Sequence, residues 1–247
     1  MEKLILSSLL DSHRQDHNGR ENRLSMAMEN YLLSILRLQE QEIKVTPVQL
    51  SEHFKSLPSA EGLGTSLPSV SAMIRRMIKE KLVTLTSTKE VSLTKDGRRS
   101  AESMVRRHRL AERLAVDILK VDLERAHEEA HRLEHAVSPY LEQKIVEVLG
   151  YPTTCPFGHP IPGSSYKPIS TMMRLSEAEV SKEYLVDRIP EDDSELLSYF
   201  VDNGFMPGMS IDIKDASKAR GVITVGTCNG DLVFSIKVAT IIWVVPA

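Results

Sequence analysis

The stretch SLPSVSAMIRRMIKEKLVTLTSTKEVSLT, residues 66–94, decides the fold of the first third of the chain. A loop rich in Gly, Pro and Ser precedes it, and Pro68 stands where a helix is expected to start. One apolar stripe at helical spacing follows, formed by Val70, Met73, Ile74, Met77 and Ile78. Two β-branched runs around a polar Ser-Thr-Lys-Glu turn come next, so the stretch predicts a helix and then a short hairpin.

Two further helices are predicted before this stretch. The segment AMENYLLSILRLQEQE, residues 27–42, has its apolar residues at helical spacing. Thr46 followed by Pro47 is a start signal for a second helix over TPVQLSEHF. Helix, helix, loop, helix and hairpin is the order of a winged helix-turn-helix, a fold whose third helix lies in the major groove of DNA while the wing contacts phosphates.

The charge distribution supports a nucleic-acid partner, although the net charge of −3 does not. Residues 66–110 hold eleven Lys and Arg against four Asp and Glu, a local charge of +7, and the sign reverses between residues 117 and 134. A basic block beside an acidic block predicts separate binding of phosphate and of cations. The candidate DNA contacts on the predicted helix and wing are Arg75, Arg76, Lys79 and Lys89. A generic three-helix domain with a hairpin is the alternative.

The fold class is mainly α with small β parts. Three helices are predicted after the hairpin, over residues 95–119, 123–137 and 139–150, and their surplus apolar surface favours a homodimer. A Pro/Gly-rich stretch and then short β-type runs follow, which are typical of a small barrel. The predicted domains are a leader (1–25), a winged helix-turn-helix DNA-binding domain (26–95), a helical dimerisation and metal-binding domain (96–150), a linker (151–170) and a barrel (171–247).

Composition places the chain among ordinary globular proteins, with 41% hydrophobic and 26% charged residues. The two cysteines, Cys155 and Cys228, are far apart in sequence, so neither a disulfide framework nor a C-x-x-C metal site is expected. The N-terminal apolar run is too weak for a secretory signal, and no stretch approaches the ~20 apolar residues of a membrane span. We expect a cytoplasmic protein without a membrane partner.

The stretch HEEAHRLEH, residues 127–135, predicts a metal site. Positions i, i+4, i+7 and i+8 of a helix lie on one face. The residues that share this face are His127, His131, Glu134 and His135. On the preceding helix, His108 and Glu112 are again four residues apart. Imidazoles and carboxylates without a thiolate suit Mn²⁺, Fe²⁺, Co²⁺, Ni²⁺ or Zn²⁺.

The same stretch also contains H-E-x-x-H, the signature of a zinc protease in which His127 and His131 bind the metal and Glu128 is the general base. A protease needs a third ligand at a set distance and a base that faces the metal, whereas Glu128 is predicted to point away from the imidazole face. We therefore expect that the chain is not an enzyme. The alternatives are this protease and a metal-binding protein without DNA activity.

Several motifs together resemble one known family. They are ENYLLSILRL, SLPSVSAMIRRM, RRHRLAERLAVDIL, AHEEAHRLEHAVS and PFGHPIPG. In this order they are similar to metal-dependent repressors of the diphtheria toxin repressor, iron-dependent regulator and manganese transport regulator group. The resemblance implies an SH3-like, FeoA-like C-terminal barrel, Mn²⁺ or Fe²⁺ as corepressor, and substitution by Co²⁺, Ni²⁺ or Zn²⁺ in vitro. It also implies a homodimer that binds a palindromic operator in double-stranded DNA to control metal-uptake genes.

The resemblance further implies two neighbouring metal sites. The ancillary site falls on His108, Glu112 and His127, with a barrel carboxylate placed at Glu183. The primary site falls on Asn30, His131, Glu134 and His135. Asn30 and His131 match neither the iron branch nor the manganese branch of the family, so the branch rule for metal identity does not apply.

The family's contacts with bases and with an anion can be placed in the same way. The residues that match its base contacts are Ser66, Pro68 and Ser69. Arg109 matches an anion-binding residue, but Cys155 and His159 replace the two side chains that hold the anion with it. The loop before Pro68 is longer than the family's tight turn, which changes the expected approach of the recognition helix.

Overall fold

The structure, a computed structural model, describes residues 24–56 and 63–247. Nearly all of the predicted leader and residues 57–62 of the loop before Pro68 lie outside the described residues. The chain divides into two compact units between Arg106 and Arg107.

The first unit has the order of a winged helix-turn-helix, as predicted. Its helices are α1 (Met26–Glu40), α2 (Pro47–Ser56) and α3 (Leu67–Lys79). The wing is an antiparallel pair, β1 (Val83–Leu85) and β2 (Val91–Leu93), and α4 (Lys95–Arg113) begins two residues later. The hairpin turns through Lys89, which has a positive φ of 59° and carries its side chain into solvent.

Hydroxyl side chains begin α2 and α3. The Oγ1 of Thr46 accepts a hydrogen bond from the Gln49 N–H at 3.3 Å, as the start signal predicts. The Oγ of Ser66 accepts from the Ser69 N–H at 3.3 Å. Each hydroxyl satisfies a backbone N–H that has no partner inside the first helical turn. Ser66 and Ser69 thus form the N-terminus of α3.

The apolar stripe of α3 packs into the core of the first unit. Val70, Ile74 and Met77 are buried and Met73 is partly buried, whereas Ile78 is exposed. Ile78 follows Val70 by eight residues, and eight rotations of about 100° carry it to the edge of the stripe. The α1 residues in the same core include Tyr31, Leu32, Ile35 and Leu36.

The second unit continues α4 with more helices. A π-helical turn (Leu114–Ile118) follows α4, and then come α5 (Leu123–Leu133), a 3-10 turn (Glu134–Ala136) and α6 (Pro139–Val148). The helix predicted over residues 123–137 is therefore α-helical only as far as Leu133. Its last predicted turn is wound more tightly, which changes where Glu134 and His135 point.

Six antiparallel strands form the C-terminal sheet, in the order β3-β8-β4-β5-β6-β7. The strands are β3 (Met173–Arg174), β4 (Glu183–Arg188), β5 (Ser210–Ser217), β6 (Val222–Thr227), β7 (Gly230–Ser235) and β8 (Trp243–Pro246). Helix α7 (Ser194–Asp202) follows β4, and α8 (Ile236–Ala239) follows β7. Pairing shifts register within β4 and within β5. Such irregularities bend strands, as a small barrel requires.

The segment predicted as a linker is packed against the sheet. Phe157 is fully buried in the same core as Phe200 and Phe205. Its carbonyl accepts a hydrogen bond from the Ile189 N–H at 3.1 Å. Gly158 has a φ of +89°, and a Cβ added there would overlap a backbone carbonyl of β4. The sheet and the segment before it therefore form one packed body.

The described helices are amphipathic rather than uniformly apolar. Helix α4 is 19 residues long and contains ten charged residues. Across residues 24–56 and 63–247, no helix is both long enough and apolar enough to cross a bilayer.

Gly97 lets α4 begin close to the wing. An added Cβ would overlap the carbonyl oxygen of Leu82, a backbone atom that cannot move aside independently. We expect Gly97→Ala to destabilise the protein by about 1–3 kcal/mol, as overpacking does. Urea denaturation measures this loss. The control is Ser103→Ala on the exposed face of α4, and equal stability of the two variants would contradict the close approach.

Candidate metal centre

Helices α4 and α5 bring the predicted ligands of the second unit together. His108 and Glu112 lie one turn apart on α4, and His127 and His131 lie one turn apart on α5. The alanines between them are fully buried and small enough to let the two helices approach closely; they are Ala111, Ala126 and Ala130. The helical spacing predicted from the sequence therefore places these side chains at one buried position.

Three ligand atoms form a triangle with equal sides. The His108 Nε2 is 3.0 Å from the Glu112 Oε1 and 3.0 Å from the His127 Nδ1. The Glu112 Oε1 is also 3.0 Å from the His127 Nδ1. Two imidazole nitrogens and a carboxylate oxygen that lie this close together are a ligand set suited to a divalent transition metal.

An unsatisfied oxygen at the same position indicates a cation as well. The Glu112 Oε2 is buried and has no hydrogen-bond partner among the described residues. Burying an ionised carboxylate costs free energy unless positive charge or hydrogen bonds compensate. A divalent metal beside the triangle would supply that compensation, so the residues present fit the metal that the sequence implies.

Glu191 is the carboxylate that the segment after β4 contributes to this centre. It is buried, and its ligand atom lies within 4.8 Å of those of His108, Glu112 and His127. The neighbouring Asp192 places its Oδ1 3.2 Å from the His127 Nε2. Sequence analysis missed both residues. The signal that could have found them is the acidic run EDD directly after Pro190.

Glu183, which the sequence analysis assigned to this role, requires correction. It begins β4 and is exposed. Because side chains of a strand alternate between its two faces, Glu183 points to solvent while Tyr184 and Val186 point into the core. The structure brings Glu191 to the centre in its place.

The second predicted set lies directly against the first. The Glu134 Oε1 is 3.2 Å from the His131 Nδ1 and 3.4 Å from the His135 Nε2. The Glu134 Oε2 is 2.5 Å from the His108 Nδ1, and the His127 Nε2 is 3.2 Å from the His131 Nε2. The two sets are therefore in direct contact and form one continuous cluster. The 3-10 turn after Leu133 aims Glu134 inward.

The carboxylates and imidazoles of the cluster shift one another's pKa values. Burial lowers the pKa of His108, but the adjacent Glu112 and Glu134 carboxylates outweigh it and raise the pKa to about 10. Burial raises the pKa of Glu134, whereas the His108 imidazolium lowers it to about 2. Burial and the nearby His108 charge lower the pKa of His131 to about 3. At neutral pH and without metal, Glu134 is thus ionised, His131 is neutral and His108 is protonated, so a metal bound by His108 must displace a proton.

Glu128, the supposed protease base, faces away from the cluster as predicted. Its side chain is 41% exposed and forms an ion pair with Arg132 on the outer face of α5. A general base must reach the water that a metal activates. The H-E-x-x-H stretch therefore lacks the arrangement of a zinc protease.

Asn30 belongs to α1 in the first unit. Its side chain is almost completely buried, and the Oδ1 has no hydrogen-bond partner among the described residues. An amide oxygen is an acceptor and a potential metal ligand. Asn30 therefore keeps the property that its predicted role requires.

Arg109 lies inside the second unit. Its guanidinium donates to the Pro160 carbonyl at 2.5 Å, and the side chain is buried. Cys155 and His159 turn toward the segment after β4. The Cys155 Sγ is 3.7 Å from the Glu191 Oε2, and the His159 Nε2 lies 3.0 Å from the Ile189 carbonyl. Burial raises the pKa of the Cys155 thiol well above its usual range.

The basic residues predicted to contact DNA are exposed in the first unit. Arg75, Arg76 and Lys79 occupy the solvent face of α3, and Lys89 lies in the wing turn. Ser66, Pro68 and Ser69 are exposed at the N-terminus of α3. All seven side chains are accessible to a partner.

Known proteins are similar to this chain in sequence and in fold. The metal-binding and dimerisation domain of iron-dependent repressors matches residues 94–163, and the FeoA domain matches residues 173–246. The iron-dependent repressor IdeR of Mycobacterium leprae (strain TN) is 33% identical over 218 residues, which cover 83% of this chain and 90% of that protein. The chain belongs to the iron-dependent repressor family.

Other known repressors and regulators are similar over shorter or longer spans. The diphtheria toxin repressor of Corynebacterium diphtheriae is 40% identical over 135 residues, 55% of this chain and 56% of that protein. A manganese-dependent transcriptional repressor in complex with manganese has a TM-score of 0.79 at 32% identity, and the match covers 89% of this chain and 100% of that one. The manganese regulator SloR has a TM-score of 0.75 at 27% identity, over 91% and 100%.

The two barrel carboxylates can be distinguished by matched substitutions in this repressor. We expect Glu191→Gln to weaken Mn²⁺ binding by about 10–100-fold, the scale on which supporting residues of metal sites act. Glu183→Gln should leave the affinity unchanged because Glu183 is exposed on β4. Equilibrium dialysis of both variants measures the affinities. A loss in Glu183→Gln alone would restore the original assignment.

Proposed function

We propose that this chain is a metal-dependent transcriptional repressor that binds operator DNA as a homodimer, with Mn²⁺ or Fe²⁺ as corepressor. The observation that carries the proposal is the buried triangle of His108, Glu112 and His127, with its unsatisfied carboxylate oxygen, in a chain that also contains a winged helix-turn-helix. Relatives that depend on iron and relatives that depend on manganese are both known: IdeR is an iron-dependent repressor, and a structural neighbour is a manganese-dependent repressor. The bacterial origin of its relatives supports a cytoplasmic location, because bacterial DNA lies in the cytoplasm.

The metal ligands fall into two groups in this proposal. His108, Glu112, His127 and Glu191 form the first group, and they offer two imidazole nitrogens and two carboxylates. His131, Glu134 and His135, with Asn30 of the first unit, form the second group. Bound metal supplies the positive charge that the buried carboxylates of both groups need.

Metal dependence of DNA binding follows from the distribution of the second group along the chain. Asn30 belongs to α1 of the winged-helix unit, whereas His131 and Glu134 belong to the second unit. Metal shared by these residues would stabilise one arrangement of the two units. The free energy of metal binding then favours the conformation that fits the operator, which is coupling between two sites.

Dimerisation is supported by apolar side chains that are exposed in the single chain. On and after α6 they include Tyr140, Leu141, Val148 and Tyr151, and Ile118 and Leu119 end the π-helical turn. Large exposed apolar patches mark protein interfaces. A C2 dimer would place two recognition helices on a DNA site whose half-sites are related by the same symmetry, which is why the proposed operator is palindromic.

DNA recognition is proposed to combine phosphate contacts with modest base readout. Arg75, Arg76 and Lys79 on α3 and Lys89 in the wing offer positive charge to the backbone. Ser66 and Ser69 present short hydroxyl groups at the N-terminus of α3, where the helix dipole also favours an anion. Affinity should therefore depend mainly on the phosphates and fall steeply with salt.

Removing a cluster ligand should uncouple DNA binding from metal. We expect His131→Ala and Glu134→Ala to lose metal-dependent binding to DNA from upstream of a metal-uptake gene, while circular dichroism stays like that of the parent. Glu128→Ala is the control, because that carboxylate is exposed and paired with Arg132. Gel shifts titrated with Mn²⁺ measure the response. A parent-like response in both ligand variants would refute the assignment of the site.

Removing a basic residue of α3 should change the salt dependence of DNA binding. We expect Arg75→Ala to weaken binding to all DNA sequences similarly and to reduce the slope of log affinity against log salt by about 1. Lys218→Ala, an exposed change in the C-terminal sheet, is the control. Fluorescence anisotropy at several salt concentrations measures the slope, and an unchanged slope for Arg75→Ala would contradict a phosphate contact.

A further inference from the structure

The described end of the loop before α3 is anchored to the first unit. The Ser51 hydroxyl donates to the Thr65 carbonyl at 2.6 Å, and Ser51 itself is buried. Leu63 packs against the apolar core of the unit. Gly64 passes so close to α3 that an added Cβ would overlap the Ser69 Oγ. These contacts fix the path by which the chain enters the first turn of α3.

Leu67 is the first residue of α3, and its side chain is directed into solvent. It is 45% exposed, whereas Val70 and Ile74 of the same helix are buried. The Ser66 hydroxyl caps the helix by accepting from the Ser69 N–H, so the backbone at Leu67 is already ordered. Because the stabilisation from an apolar side chain scales with the area that it buries, Leu67 adds little to the core. Its surface is available to a partner.

The surroundings of Leu67 match a DNA groove in charge and in position. Ser71 and Arg75 follow it at intervals of four residues, on the same side of α3. Arg75 is exposed and carries positive charge. In a helix-turn-helix, the N-terminal residues of the recognition helix reach the base edges, and basic residues contact the phosphates. Leu67 therefore lies at the end of α3 that faces the bases, and the charge beside it complements DNA.

We propose that Leu67 reads thymine in the operator by covering the 5-methyl group that thymine presents in the major groove. The proposal rests on the proposed function, because it concerns the same complex with DNA. Thymine alone among the four bases presents a methyl group there, and apolar side chains recognise it. The hydroxyls of Ser66 and Ser69 can bond to several bases and discriminate little. Leu67 adds a sequence-dependent contact that these hydroxyls do not provide.

Replacement of thymine by uracil in the DNA tests this contact, because uracil keeps the hydrogen-bonding groups of thymine and lacks only the methyl group. A fragment from upstream of a metal-uptake gene is prepared with thymine throughout and with uracil throughout. Fluorescence anisotropy of the full-length protein with saturating Mn²⁺ measures both affinities. Burial of one methyl group corresponds to about a fourfold change in affinity. We expect Leu67→Ala to reduce the parent's preference for thymine DNA by at least about fourfold.

Two further variants are matched to this substitution. Leu67→Met keeps an apolar side chain of similar volume and should keep the preference for thymine DNA. Ile78→Ala removes an exposed apolar side chain about 16 Å further along α3 and should leave the preference unchanged. Because Leu67 is uncharged, Leu67→Ala should retain the parent's slope of log affinity against log salt, unlike Arg75→Ala. Circular dichroism verifies that each variant is folded.

The outcomes separate this proposal from the proposed function. A parent-like preference for thymine DNA in Leu67→Ala would overturn the role of Leu67, even if the parent binds DNA in response to Mn²⁺. Loss of the preference in Leu67→Met or in Ile78→Ala, or a shallower salt slope in Leu67→Ala, would overturn it as well. DNA binding by the parent without any response to Mn²⁺ would overturn the proposed function alone, since the two affinities still test Leu67. Absence of DNA binding would overturn both.

Discussion

Two carboxylates buried between α4 and the turn after α5 impose the main constraint on the second unit. Glu112 and Glu134 are both fully shielded from solvent, and an ionised carboxylate removed from water must have positive charge or hydrogen bonds beside it. Protonated His108 provides part of that charge, because it lies between the two and has a pKa of about 10. The Glu112 oxygen without a hydrogen bond is the part that protein groups leave uncompensated. A divalent cation bound at this position would displace the His108 proton and supply the compensating charge to these carboxylates.

The same constraint connects the helices with the C-terminal sheet. Glu191 and Asp192 follow β4 and reach the imidazole of His127, and Ala126 of α5 belongs to the apolar core of the sheet. Apolar packing positions the two acidic residues, and the acidic residues complete the polar centre. The apolar core of the sheet and the polar centre are therefore packed side by side, and a change in one is expected to disturb the other.

Sequence reasoning succeeded where the periodicity of one helix decides the outcome. The spacing of His127 and His131, and that of His108 and Glu112, places each pair on one face of a helix, and the winged-helix order follows from local start signals such as Thr46. It failed where the tertiary packing decides. Glu183 and Glu191 are both acidic residues near one strand, and only the alternation along β4 and the course of the chain after it separate them.

The sequence pattern also did not predict the 3-10 turn that follows Leu133. An ideal α-helix to residue 137 predicts that Glu134 and His135 share the face of His127, whereas the 3-10 turn that begins at Glu134 sends its carboxylate to the His108 Nδ1. The Glu134 carboxylate also contacts His131 and His135, so the ligands of the two predicted sites lie in direct contact.

The burial of Phe157 among residues of the C-terminal sheet has a consequence for how the protein is made. A chain emerging from the ribosome presents α4 and α5 before β4 to β8, and domains fold largely in the order of synthesis. Phe157 can pack into its core, which includes Phe200, Phe205 and Phe234, only after most of the sheet has left the ribosome. The carboxylate of Glu191 is delivered to the imidazoles by that same late step. The histidines of α4 and α5 are therefore exposed to cellular metals before Glu191 is in place. The full set of proposed ligands comes together only after the sheet has folded.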